Sequence, residues 1–94
     1  MCLDIGHVVA YSEVSIEHWI SVLAPWIKEI HLHECEKKRD IHMPLGYGLI
    51  DWDKVFLSLK ENNVKLTEIY LTLEPRNERD LLISLEYLKT LLGI

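Results

Sequence analysis

The chain has 94 residues, 49% hydrophobic and 27% charged, enough apolar content to bury a core and to exclude a mainly disordered segment. Fifteen acidic against ten basic side chains leave a formal charge of −5, which argues against nucleic acid or an anionic membrane surface as a partner. No apolar run approaches the roughly 20 residues of a membrane span. The opening residues lack a leader pattern, and two cysteines without a CxxC spacing make no disulfide scaffold, so a cytoplasmic protein is expected.

Residues 2–5 form a short apolar run that Gly6 ends, which predicts a first strand. Ser12 and Ser15 are candidate N-caps for a helix near 15–24. Ile16, Trp19, Ile20 and Leu23 lie on one face of it, and Pro25 marks its end. A second strand is predicted near 27–33, with Ile30 and Leu32 on one side and His31 and His33 on the other. Residues 34–50 read as a long polar loop, the kind that is usually functional or disordered in so small a chain. In it the basic run Lys37, Lys38 and Arg39 is flanked by Glu34, Glu36 and Asp40 and reads as solvated.

Asp51 then caps a helix near 52–62, with Trp52, Val55, Phe56 and Leu59 as its buried face. A third strand follows near 66–73, with Ile69, Leu71 and Leu73 opposite Tyr70, Thr72 and Glu74. Asn77 caps a last helix near 77–92, striped by Leu81, Leu85, Leu88 and Leu92 and stopped at Gly93. Trp19, Trp26 and Trp52 read as helix–sheet packing. Strands alternating with helices, without an internal linker, predict one α/β domain built on a parallel sheet.

Asp4, His31 and Glu74 each close a predicted strand on the face away from the helices. They therefore converge at the C-terminal ends of the strands, where parallel α/β architectures build their sites. Two carboxylates and one imidazole suit a divalent ion such as Zn²⁺ or Mn²⁺. A second group is His7 with Asp40 and His42; Asp40-Ile-His42 in extended backbone points both side chains to one side, while a solvent-exposed polar loop is the competing reading. His33 shares the face of His31 and either fixes a ligand's orientation or is a plain loop histidine, the latter slightly preferred. His18 reads as a surface residue.

The ordered set Asp4-Ile-Gly-His7, His31-Leu-His-Glu34, Asp40-Ile-His42 continuing to Gly46-Tyr-Gly48, Leu-Ile-Asp-Trp52 and Leu-Glu74-Pro75 resembles the C-terminal part of a xylose-isomerase-like TIM barrel. That superfamily includes sugar and sugar-phosphate isomerases and epimerases as well as endonuclease IV. The resemblance implies three β-α units matching the last three of a (β/α)8 barrel, an incomplete barrel, since eight units take roughly 200 residues or more. It implies Asp4, His31 and Glu74 as metal ligands, with Glu74 also moving a proton, and a further glutamate ligand that the sequence does not contain.

In endonuclease IV-like members, residues matching His7, Asp40 and His42 hold an additional metal. In epimerases the residue matching His7 contacts substrate, and Lys37 or Arg39 are candidates for a substrate-gripping cation. Tyr47 stands where the family's glycine-rich turn carries a glutamate. The acidic composition ranks the sugar branch first. The expectation is a metal-dependent isomerase- or epimerase-like chain, inactive alone, that joins copies of itself or a complementing N-terminal half.

Overall fold

A computed structural model describes residues 1–40 and 43–93. In chain order the elements are β1 (Cys2–Asp4), α1 (Ile5–Tyr11), α2 (Ile16–Leu23), β2 (Glu29–Leu32), β3 (Cys35–Glu36), β4 (Arg39–Asp40), α3 (Trp52–Glu61), β5 (Tyr70–Leu73) and α4 (Glu78–Leu92). Single 3₁₀ turns at Ala24–Trp26 and Leu66–Glu68 lead into β2 and β5. The strands β1, β2 and β5 form a parallel sheet in that spatial order, with β2 central. Among the described residues, β1 and β5 are its open edges.

The helices gather on one face of this sheet because the strands present only apolar side chains there. Leu3, Ile30 and Leu32 are buried, and Leu71 and Leu73 pack against the same core. Ile5 of α1, Ile20 of α2, and Trp52, Val55 and Leu59 of α3 complete it. Such burial stabilises by about 25 cal/mol per Å² of apolar surface removed from water. The opposite face carries Cys2 and Asp4, Glu29 and His31, and Tyr70 and Thr72, all exposed or half-buried. Tyr70 is 77% exposed. A strand's side chains alternate between faces, so the parallel register alone sorts these two sets.

Helix boundaries follow local capping. Ser15, Asp51 and Asn77 accept backbone N–H bonds from His18 (3.2 Å), Lys54 (3.2 Å) and Asp80 (2.9 Å), and Gly93 ends α4 at φ 74°.

Several expectations are corrected. Helix α1 occupies residues read as strand end and connection. Asp4 starts it by accepting the His7 N–H at 2.9 Å, and Gly6 lies inside the helix instead of breaking it. Ser12 is the C-cap of α1 rather than an N-cap. The polar stretch 34–50 contains the β3–β4 hairpin, turned by Lys37 and Lys38, the latter at φ 60°. Its short strands hold mostly charged residues, so no apolar alternation signals them.

Trp52 is buried, but Trp26 is 61% exposed and Trp19 is also exposed, its indole N–H donating to Ser12 Oγ at 2.9 Å. The inward stripe of α4 runs through Asp80, Ser84, Tyr87, Leu88 and Leu91, leaving Leu82 and Leu85 exposed. That rotation lets Ser84 Oγ accept the Leu45 N–H (3.1 Å) and lets Tyr87 pack over Gly46.

Candidate metal centre

Three strand ends build the site. Asp4 ends β1 and pairs in register with His31 of β2, and Glu74 follows β5 immediately. One donor atom from each of Asp4, His31 and Glu74 lies within 4.8 Å of the other two. The shared face places all three side chains at the C-terminal edge of the parallel sheet. Two carboxylates and an imidazole at this spacing fit the donor set and reach of Zn²⁺ or Mn²⁺.

Each ligand candidate is held from behind. His31 Nδ1 lies 3.3 Å from Glu74 Oε1, and its Nε2 lies 3.0 Å from Glu29 Oε2. The Thr72 hydroxyl donates to that same Glu29 oxygen at 2.8 Å. This hydroxyl and His31 hold the Glu29 carboxyl below its usual range, against a smaller upward push from burial.

Asp4 Oδ1 accepts the His7 backbone N–H and lies 2.6 Å from His33 Nε2. His33 Nδ1 faces the Glu34 carbonyl at 3.0 Å. Both ring nitrogens of His33 thus meet acceptors, an arrangement that suits the doubly protonated ring. Burial pulls its pKa down, but the Glu34 carbonyl and the Asp4 and Glu74 carboxylates outweigh burial and raise it.

His33 follows the end of β2 in the connection to β3, but it is buried and orients Asp4, unlike a plain solvated loop histidine, while His31 on β2 joins Asp4 and Glu74 in the candidate donor group. Gly6 makes the approach possible: a Cβ there would lie 2.8 Å from His33 Nε2 and closer still to Cε1 and Nδ1.

Glu34 is buried as well, not solvated as its polar neighbours imply. Its Oε2 accepts the Gly46 N–H (2.6 Å) and the Trp52 indole N–H (2.8 Å), and its Oε1 accepts the Ile50 N–H at 3.3 Å. One carboxyl group thus ties the 46–50 segment to the start of α3. Gly48 is required there, because a Cβ would come within 2.6 Å of Glu34 Oε1 and 2.8 Å of the Cys35 carbonyl.

The His7 side chain is exposed on α1 with its ring 4.8 Å from that of Tyr11, and among the described residues it joins neither group of three donors. Lys37 lies exposed in the hairpin turn. Arg39 is exposed on β4, 3.5 Å from Glu36. Asp40 pairs with Cys35 through the β3–β4 ladder, and His42 lies outside the described residues. His18 is exposed.

A second donor group, absent from the sequence reading, consists of Cys2, Glu29 and His31. The parity that selects Asp4 and His31 also selects Cys2 and Glu29, two residues earlier on each strand. The Cys2 thiol is pushed up by burial and by the nearby Glu29, Asp4 and Glu74 carboxylates, against the opposing N-terminal amine.

No helix among the described residues is long and apolar enough to cross a membrane. Searches of curated proteins and of solved structures found no match. The family described as xylose isomerase-like TIM barrel matches residues 1–91, a span running from the first strand of the parallel sheet into the last turn of α4 and including the whole Asp4–His31–Glu74 group. Sheet, site and match coincide over nearly the full length, and the chain belongs to the xylose isomerase-like TIM barrel family.

Proposed function

We propose that this chain supplies the metal-binding part of a sugar or sugar-phosphate isomerase or epimerase centre, with Asp4, His31 and Glu74 as ligands. The observation that carries the reading is the convergence of these three side chains within 4.8 Å at the C-terminal ends of adjacent parallel strands. When bound, a divalent ion supplies Lewis-acid stabilisation of charge developing on a sugar carbonyl oxygen.

The chain's own residues do the rest. Asp4 is fixed by His33 and by the start of α1, so its carboxyl group is oriented before any ligand arrives. Glu74 lies 3.3 Å from His31 Nδ1 and 3.8 Å from His33 Nε2. Its carboxylate is the group we assign to moving the proton at the carbon beside the carbonyl, as a general base. The charge of −5 favours a small sugar over a polyanionic nucleic acid as the substrate.

Among the described residues, the face of the sheet that carries the ligands is exposed or half-buried, and the edges β1 and β5 are unpaired. Open edges seek partners. We therefore assign activity to an assembly in which these edges are paired, by copies of the chain or by a complementing half, and none to the chain by itself.

Mn²⁺ titration followed by electron paramagnetic resonance tests the metal reading. Binding should be present in the native chain and lost in His31→Ala and Asp4→Asn. Equal Mn²⁺ binding by the native chain and both variants would remove the assignment. Ketose isomerisation by the monomeric chain would overturn the need for assembly.

A further inference from the structure

We propose that Cys2, Glu29 and His31 form a second cation site, one residue pair below the Asp4–His31–Glu74 group, that takes thiophilic divalent ions such as Zn²⁺ or Cd²⁺ and shares His31 with the upper site.

The placement follows from the sheet. Cys2 and Glu29 are register partners on β1 and β2. His31 stands two residues beyond Glu29 on the same strand face. One donor atom from each of the three lies within 4.8 Å of the others. Adjacent ligands around a tetrahedral zinc ion are about 3.3–3.8 Å apart for bonds of 2.0–2.3 Å, so a small side-chain adjustment closes the group around an ion. The donors sit on hydrogen-bonded strands, which hold a site more tightly than loops do.

The chemistry separates the two sites. Sulfur, carboxylate oxygen and imidazole nitrogen suit zinc and cadmium, whereas two carboxylates and one imidazole also suit manganese. Thr72 Oγ1 donates to Glu29 Oε2 at 2.8 Å from the neighbouring strand, the kind of support that orients a ligating carboxylate. The thiol binds as thiolate, so its proton leaves to solvent when the ion enters.

His31 couples the sites through its two nitrogens. Nε2 faces Glu29 at 3.0 Å and Nδ1 faces Glu74 at 3.3 Å. A neutral imidazole has one lone pair to give. An ion below takes Nε2 and leaves the Nδ1 proton to donate to Glu74. An ion above takes Nδ1 and leaves the Nε2 proton to donate to Glu29. The two occupancies therefore exclude each other, and the identity of the ion selects the site. The lower site does not depend on the isomerase reading, since neither Asp4 nor Glu74 contributes to it.

Co²⁺ added to the full chain tests the proposal, because cobalt–thiolate bonding gives a charge-transfer band in the near ultraviolet. The band should be present in the native chain and in Asp4→Asn and Glu74→Gln, and absent in Cys2→Ser. Cys2 is exposed and Cys35 is buried, so iodoacetamide reports on Cys2. Saturating Zn²⁺ should slow its alkylation by about tenfold or more, since the lone pair with which the thiolate attacks would be held by the ion. Zn²⁺ should also displace Mn²⁺, with no more than one ion bound per chain. No band in the native chain, a band that survives Cys2→Ser, or alkylation unaffected by Zn²⁺ would overturn the lower site. Simultaneous binding of two ions would overturn the sharing of His31. Loss of Mn²⁺ binding in Asp4→Asn with the cobalt band intact distinguishes the two sites, so either can fail alone.

Discussion

Replacing Gly6 with alanine puts a methyl group where the His33 ring already sits. The new Cβ would be 2.8 Å from Nε2 and nearer to two other ring atoms, whereas comfortable contact is about 3.5–4.0 Å. The ring must withdraw by roughly 1 Å. His33 is 2% exposed and held at both ends, by Asp4 at 2.6 Å and by the Glu34 carbonyl at 3.0 Å. Overpacking costs about 1–3 kcal/mol, and weakening a charged hydrogen bond costs about 1.5–3 kcal/mol when it is lost outright.

Alanine within a helix returns about 1 kcal/mol. The expected net effect of Gly6→Ala is a loss of about 2 kcal/mol. In a His33→Ala background the ring is gone, and the same substitution should stabilise by about 0.5–1 kcal/mol. A double-mutant cycle by urea denaturation should therefore give a coupling energy of about 3 kcal/mol and a change of sign between backgrounds. Gly6→Ala effects of the same sign and size in both backgrounds would refute the argument that this glycine exists to admit the histidine.

Glu34→Gln retains the shape of the side chain but offers an NH₂ group to donors. At least one of the Gly46, Ile50 and Trp52 N–H groups then loses its acceptor. A loss of about 2–3 kcal/mol is expected, with faster amide exchange at Gly46 or Ile50, whichever faces the new NH₂ group; unchanged exchange and stability would contradict the role assigned to Glu34. Gly48→Ala should cost about 2 kcal/mol through the same carboxyl group and the fixed Cys35 carbonyl, and a neutral effect in a thermal melt would show that this loop can yield. Asn77→Ala removes the cap of α4 and should cost about 1 kcal/mol, read as a lower midpoint in urea; no shift would mean another group replaces the cap.

Apolar periodicity made the parallel strands and the three longer helices legible, because each buries one face against the shared core. It missed α1 for a specific reason. Gly6 is ordinarily a breaker, and nothing local announces that its missing Cβ is filled by a ring 27 residues later in the chain. The β3–β4 hairpin was hidden because its paired residues are mostly charged and its stability comes from neighbours such as the Lys38 N–H bond to the Ala10 carbonyl at 2.8 Å. The stripe of α4 was misplaced for a related reason: a long leucine-rich helix offers more than one apolar face, and polar Ser84 turned inward to meet the Leu45 N–H.

The same logic divides the site. Asp4, His31 and Glu74 were legible because polar residues at strand ends opposite an apolar face have little choice of direction. The burial of Glu34 was not legible because its sequence neighbours are charged, yet burial is set by what folds over it, and Gly46, Ile50 and Trp52 approach from residues 12 to 18 places away. Cys2 and Glu29 obey the parity that exposes Asp4 and His31, so periodicity contained them, but a lone thiol and a lone carboxylate acquire meaning only when register places them side by side.

Register is thus the feature on which both donor groups depend. A slip of β1 by one residue relative to β2 would send Asp4 and Cys2 to the helix side and bring Leu3 to the open face. Burial of Leu3 against the same core as Ile30 opposes that slip. The hydrophobic core on one side of the sheet therefore sets the positions of the donor side chains on the other, through strands only a few residues long.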